Sequence, residues 1–282
     1  MMNLAEYRRT ASRLADYLPW VALVGEGVVL NKDGSFQRTA KFRGPDLDSA
    51  VAAELVAVAG RLNNAFRRLG SGWAIFVEAQ RSEAATYPVS TFPDAASALV
   101  DAERKAGFEE EGSHFVSGYF LTLLWLPPAE DAARSESWLY EGRETSGVNP
   151  WEQVRGFIDR ADRVLALLDG FMPDCHWLDD AATLTYLHST ISTNRHRVRV
   201  PEVPVYLDAL LPDQPLAGGL EPRLGNQHLR VLTITGFPGA TTPGLLDDLN
   251  RLAFPYRWST RAILMDKLDA TKLLTRIRRQ WF

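Results

Sequence analysis

The densest group of side chains that could bind a metal ion or act as acid and base lies in the middle of the chain. Its members are Asp174, Cys175, His176, Asp179 and Asp180. Asp174, His176 and Asp179 together would suit a self-contained metal-dependent enzyme. Zinc sites usually have more Cys or His ligands at fixed spacing, and acidic residues are favoured where a helix begins. We therefore predict a structural role for the group, with the metal-dependent enzyme as an alternative.

The sequence contains no phosphate-binding loop. The pattern G-x-x-x-x-G-K-[ST] does not occur, and no glycine directly precedes a lysine. Asp266 ends an apolar run similar to a Walker B strand, but without a phosphate loop it is predicted to cap a helix. His188 and His196 are eight residues apart, which matches no standard ligand spacing. We predict no catalytic, cofactor-binding or metal site in this chain.

Basic residues form two groups, one at positions 195–199 and one along the last predicted helix, positions 267–279. A nucleic-acid interface on a ferredoxin-like sheet would place them beside exposed aromatic side chains. Trp73 and Phe76 are the aromatic candidates, but they follow an amphipathic helix and are predicted to pack under it. The net charge of −4 gives no basic field over the whole chain. We predict no direct binding of nucleic acid and keep a ferredoxin-like nucleic-acid module as an alternative.

The composition is that of an ordinary globular protein. The chain has 282 residues, of which 46 % are hydrophobic and 23 % charged, which is enough for a sizeable core. Its single cysteine excludes an internal disulfide. The nearest candidate for a membrane span, residues 119–126, is far shorter than the roughly 18–20 apolar residues required. A cytoplasmic location is predicted.

Hydrophobic periodicity predicts the α+β class. Asp33-Gly34 indicates a hairpin, and an amphipathic helix at 51–69 precedes a strand at 73–79. The order strand, Gly/Pro break, helix with Leu-Asn and Trp-containing strand recurs at 235–266. We predict mostly antiparallel sheets with helices on one face, built from two split βαβ (ferredoxin-like) units and a helical middle segment. The alternative is a coincidence between two common units.

Three subregions are expected within an N-terminal domain at 1–282. Residues 1–126 would form the first α/β unit, residues 127–226 a helical and proline-rich middle, and residues 227–282 the second βαβ unit. The last predicted helix reaches Trp281 and Phe282 without a closing glycine or proline. We therefore expect a longer protein in which more chain follows.

The first predicted helix carries an apolar stripe flanked by arginines and followed by an aromatic residue. Such a helix suits a membrane interface or a partner helix, and docking onto the protein's own sheet is the other interpretation. The residues predicted for membrane or partner contact are Leu4, Tyr7, Leu14, Leu18 and Trp20.

Longer runs of the sequence carry a resemblance that covers essentially the whole chain. They are NLAEYRR (3–9), VLNKDGSFQRTA (29–40), LNN (62–64), GSGW (70–73), LDDA (178–181), LLDDLNRL (245–252) and YRWSTR (256–261). In these runs the chain resembles the N-terminal region of the CagE/TrbE/VirB family of conjugal-transfer ATPases.

The resemblance implies a cytoplasmic protein, peripheral at a bacterial inner membrane, that energises a type IV secretion system. In that family an α/β domain precedes a RecA-like motor, so ATP and Mg²⁺ are expected in the motor and this chain is expected not to be an enzyme. The implied partners are inner-membrane components, including a small membrane-embedded protein, and further copies of the ATPase. The expected function is a non-catalytic docking and assembly module.

Overall fold

The structure, a computed structural model, describes residues 13–47, 49–84, 86–110, 114–128, 150–234, 236, 239–240 and 245–281. The predicted hairpin is confirmed. Gly34 has φ 80°, a left-handed conformation that glycine adopts at little cost. Asp33 Oδ1 accepts hydrogen bonds from the backbone N–H and the hydroxyl of Ser35. The N-terminal elements are α1 (Leu14–Tyr17), β1 (Trp20–Gly25), β2 (Val28–Asn31) and β3 (Phe36–Arg43).

Helices and strands then alternate as far as α5, after which short elements dominate. In chain order they are α2 (Ala52–Phe66), β4 (Trp73–Glu83), α3 (Ala95–Glu110), β5 (Phe115–Trp125), α4 (Pro150–Asp169), β6 (Asp174–Trp177), α5 (Asp180–Ile191), α6 (Leu207–Leu210), β7 (Leu216–Ala217), β8 (Arg223–Leu224), β9 (Gln227–His228), a 3₁₀ helix (Asp247–Arg251), β10 (Tyr256–Ile263) and α7 (Lys267–Trp281).

Seven strands form one antiparallel sheet in the order β1-β2-β3-β5-β4-β10, and β6 also pairs with β3. β5 lies between β3 and β4, so β3-α2-β4 is a split βαβ unit. β3 in turn lies between β5 and β6, so β5-α4-β6 is a second one. The spatial order β6-β3-β5-β4 is ferredoxin-like, which confirms the α+β class and the antiparallel sheet.

The second predicted unit, residues 227–282, does not form a separate βαβ unit in its described part. Residues 229–234 have no regular structure, β9 pairs only with β8 in a small three-stranded sheet, and the predicted helix is a five-residue 3₁₀ helix. β10 instead runs along β4, from the Tyr256–Arg81 pair to the Ile263–Ala74 pair. A lone strand leaves its backbone groups unpaired, whereas the edge of β4 supplies partners for them.

One face of the sheet carries the main core, beneath α2 and α4. Phe36, Trp73 and Trp125 of three strands surround Phe157 of α4, with ring centroids 5.7–6.5 Å apart. Buried aromatic rings remove about 150–250 Å² each from water and dominate core energetics. Trp73 is therefore a core residue, as predicted, and not a platform for nucleobases.

The opposite face of the sheet is partly covered by α5. Leu184 and Leu187 of this helix form a second cluster with Val29 of β2 and Trp20 of β1. The ring of Tyr186, on the same helix, lies 4.5 Å from that of Phe120 of β5, with the two ring planes tilted by 33°. The predicted helices on one face are α2 and α4, and α5 adds a helix to the other face because it carries its own apolar stripe.

Candidate functional site

The group predicted around Asp174 begins on β6, where successive side chains point alternately to solvent and into the core. Asp174 Oδ1 and His176 Nδ1 are 2.8 Å apart on the exposed side of β6. Cys175 points the other way into the core, where burial, helped by the carboxylates of Asp169 and Asp174, raises the pKa of its thiol to about 11. A thiol with this pKa is protonated at neutral pH and is a poor nucleophile.

The two acidic residues that follow belong to the start of α5. Asp179 is the N-cap, and its Oδ1 accepts a hydrogen bond from Ala182 N at 2.7 Å. Asp180 Oδ1 accepts one from Gly27 N at 2.7 Å, which ties the helix to the β1–β2 turn. Among the residues that the structure describes, Asp174, His176 and Asp179 do not meet closely enough to bind one ion.

The residues predicted for membrane or partner contact fall into two sets. Leu18 and Trp20 are buried in the second cluster, and Leu14 packs against it. These three side chains therefore belong to a cluster that also contains residues of β2, α5 and α6. Leu4 and Tyr7 lie outside the described residues.

A cleft of about 480 Å³ opens between α5 and the sheet. Basic and imidazole side chains line it on the side where the chain leaves α5. These residues come from β3, the end of α5 and the segment that follows: Lys41, His188, Arg195, His196 and Arg197.

A buried charged network forms the floor beside this cleft. Glu78 of β4 forms an ion pair with Arg257 of β10 and accepts a hydrogen bond from Tyr186 OH at 3.0 Å. Arg257 also donates to the backbone carbonyl of Ser189 in α5. Burial, with the nearby Glu78 carboxylate, raises the pKa of Tyr186. The network thus joins β4, β10 and α5 through groups that would be costly to bury singly.

Sequence reasoning missed the neighbourhood of the two histidines. The chain reverses after α5 and brings the ring of His196 to 4.4 Å from that of His188. Asp213 comes from a third place in the chain, and its Oδ2 lies 3.2 Å from His188 Nε2. Burial of Asp213 works against its ionisation, but hydrogen bonds from Asn194 and Ser192 and the nearby His188 ring lower its pKa. No local spacing could have indicated this arrangement.

Apolar side chains are exposed along α7. Leu268 is 66 % exposed and Leu274 65 % exposed. The helix is attached at its first turn, where Ser71 Oγ donates to Asp269 and accepts from Asp266 N. Asp266 O accepts from Ala270 N, so Asp266 stands where the helix begins, as predicted. None of the helices in the described part of the chain is both long enough and apolar enough to span a bilayer.

Three comparisons with known proteins bear on this fold. The family described as type IV secretion system ATPase VirB4/TrbE, N-terminal domain, matches residues 27–133. The conjugal transfer protein TrbE of Rhizobium radiobacter is 33 % identical over 298 residues, which is 100 % of this chain and 36 % of that protein. The first of two pieces of a probable conjugal transfer protein TrbE of Sinorhizobium fredii is 42 % identical over 130 residues, 45 % of this chain and 87 % of that piece.

A ferredoxin-like α+β domain with these relatives is of the class found at the N-terminus of type IV secretion ATPases. The chain belongs to the VirB4/TrbE family and corresponds to an N-terminal TrbE domain. It spans 36 % of the length of the Rhizobium radiobacter protein.

Proposed function

We propose that this chain is the docking and assembly module of a type IV secretion ATPase and does not hydrolyse ATP itself. The observation that carries the proposal is the exposed apolar face of α7 that contains Leu274 and Ile277, which are three residues apart and so lie on the same side of the helix. Exposed apolar patches of this kind mark interaction surfaces when their residues cluster. On an amphipathic helix they recur on one side, so a partner can cover them together.

The partner proposed for α7 is a RecA-like motor domain of the same ATPase. The matched Rhizobium radiobacter protein is much longer than this chain, which covers 36 % of it. ATP and Mg²⁺ would bind in such a motor, because this sequence has no phosphate loop of its own. The module would connect the motor to inner-membrane components of the secretion system, among them a small membrane-embedded protein, and would help the ATPase to self-associate.

Membrane or partner contact at the N-terminus is proposed for residues 1–12, including Leu4 and Tyr7. Leu14, Leu18 and Trp20 pack in one cluster with residues of α5 and α6. This packing fixes the position of the chain directly after residues 1–12. The protein would then be peripheral at the inner membrane, with residues 1–12 and α7 serving different contacts.

Substitution of the exposed face of α7 in the full-length ATPase tests the proposal. Leu274→Asp with Ile277→Asp places two charges on this face and is expected to reduce oligomer size in light scattering and to lower conjugation frequency. The matched control is Val56→Asp, because Val56 is 72 % exposed on α2, a helix whose other side is packed on the sheet. If the α7 variant assembles and transfers DNA as well as the control does, α7 is not the docking surface.

A further inference from the structure

The buried histidine at the end of α5 lies beside a carboxylate and a second imidazole. His188 is only 3 % exposed. Within the described part of the chain its Nε2 has no hydrogen-bond partner. Asp213 Oδ2 lies 3.2 Å away, at the distance of an ion pair. Buried polar atoms in folded proteins are nearly always bonded, so a buried imidazole nitrogen that faces other metal-ligating groups is a candidate ligand for a bound ion.

Two further side chains face this nitrogen. One atom each from His188, His196 and Asp213 can be chosen so that all three lie within 4.8 Å of one another. In the described residues this is the one group of His, Cys, Asp or Glu side chains with such geometry. Two imidazoles and a carboxylate are a ligand set that proteins use for zinc and other first-row transition metals.

The segment that supplies two of the three side chains is already held in place. Asn194 Nδ2 donates to Asp213 Oδ2 at 2.8 Å. Thr193 donates to Gln214 Oε1 from its backbone N–H at 3.0 Å and from its hydroxyl at 2.9 Å. These bonds fix the carboxylate toward α5 and act as the outer support that metal ligands need.

We propose that His188, His196 and Asp213 bind one divalent transition-metal ion, with Zn²⁺ as the expected occupant and water as the fourth ligand. Tetrahedral zinc with bonds of about 2.0–2.1 Å places neighbouring ligand atoms about 3.3–3.5 Å apart. The distance from His188 Nε2 to Asp213 Oδ2 is close to this value at 3.2 Å. His196 is exposed, so its ring can approach without disturbing the core.

The arginine that precedes His196 in sequence interacts with the sheet instead of with this site. Arg195 is directed toward the sheet, where partial desolvation and the neighbouring Arg257 lower its pKa and the Glu78 carboxylate attracts its guanidinium. The ion would join α5 to the segment 192–214, which has little regular structure beyond α6. The role of the ion would therefore be structural, because it would hold this segment against the end of α5.

Metal binding by the purified chain tests the site. After treatment with EDTA and reloading, the chain is expected to retain one Zn²⁺ in elemental analysis, and Co²⁺ is expected to give the visible absorption of a tetrahedral site. His196→Ala and Asp213→Asn each remove one ligand without touching the buried ring. Because loss of an outer-shell partner already weakens metal binding by about 10–100-fold, each variant is expected to lose at least about a hundredfold in affinity.

A matched control separates this site from the other histidine–carboxylate pair. His176→Ala removes a half-exposed histidine next to Asp174 and is expected to bind Zn²⁺ as the unaltered chain does. Addition of Zn²⁺ is expected to raise the Tm of both proteins equally, because a ligand that binds only the folded state stabilises it. Circular dichroism establishes that all variants are folded. Retention of no zinc by the unaltered chain overturns the proposal. So does equal affinity in His196→Ala, or a loss of zinc in His176→Ala alone.

Discussion

The ion pair between Glu78 and Arg257 is expected to be one of the main interactions that hold β10 on β4 and α5 on the sheet. The Glu78 side chain is 12 % exposed and that of Arg257 26 % exposed. Removing one member of a buried pair costs about 3–5 kcal/mol because the other charge stays buried. Arg257 retains some contact with water, so we expect Arg257→Met to lower the free energy of unfolding by about 3 kcal/mol, the lower end of that range.

A double-mutant cycle distinguishes the pair from a general loss of packing. Glu78→Gln keeps the shape of the side chain and is expected to cost about 1–2 kcal/mol, because Tyr186 OH and Arg257 lose a charged acceptor. The Glu78→Gln/Arg257→Met double variant no longer has an unpaired charge at this place, so its cost is expected to fall about 1.5–2 kcal/mol short of the sum of the two single costs.

Urea unfolding followed by tryptophan fluorescence measures these values, since the chain has eight tryptophans. Arg251→Met is the control, because it makes the same change at an arginine whose ion pair with Asp248 is exposed on both sides. That variant is expected to unfold as the unaltered chain does. The reasoning is refuted if Arg257→Met lowers the free energy of unfolding no more than the control does. It is also refuted if the effects of the two single substitutions add within about 0.5 kcal/mol.

Two further predictions concern ligands and the membrane. Isothermal titration of the chain with ATP and Mg²⁺ is expected to show no binding, since no phosphate loop is present, and micromolar affinity would contradict the assignment of nucleotide to a motor domain. In flotation with anionic vesicles, removal of residues 1–12 is expected to reduce membrane partitioning. The deletion ends at residue 12 because Leu18 and Trp20 belong to the second cluster. Unchanged partitioning would show that residues 1–12 do not contact the membrane.

Local patterns predicted the elements that are defined within a short stretch of chain. The Asp33-Gly34 turn, the amphipathic helix predicted at 51–69 and the strand starting at Trp73 all form, with α2 at Ala52–Phe66 and β4 at Trp73–Glu83. These features depend on turn geometry and on hydrophobic spacing, which the sequence shows directly. A second split βαβ unit does form, but from β5, α4 and β6 and not from residues 227–282, because a likeness in element order does not specify which strands pair.

The candidate site depends on contacts between distant regions of the chain. Arg257 reaches Glu78 because β10 pairs with the edge of β4, and His196 reaches His188 because the chain turns back after α5. Nothing in the spacing of these residues indicates either event. The sequence around Trp20 likewise does not specify what covers this side chain. Its apolar neighbours suit a membrane or a helix, and in the fold the apolar stripe of α5 covers it.

The helix α5 is where these separate features meet. Its apolar side packs on Trp20 of β1, its Tyr186 binds Glu78 of β4, and its last turn presents His188 to the following segment. Through Ser189 it also accepts a hydrogen bond from Arg257 of β10, the strand that leads into α7. The proposed function has the chain dock through its N-terminal residues at one end and through α7 at the other, which requires those two surfaces to keep a fixed relation. Because α5 touches both β1 and β10, it is the element able to do so, and weakening it through Arg257 or through the histidine site should disturb both contacts together.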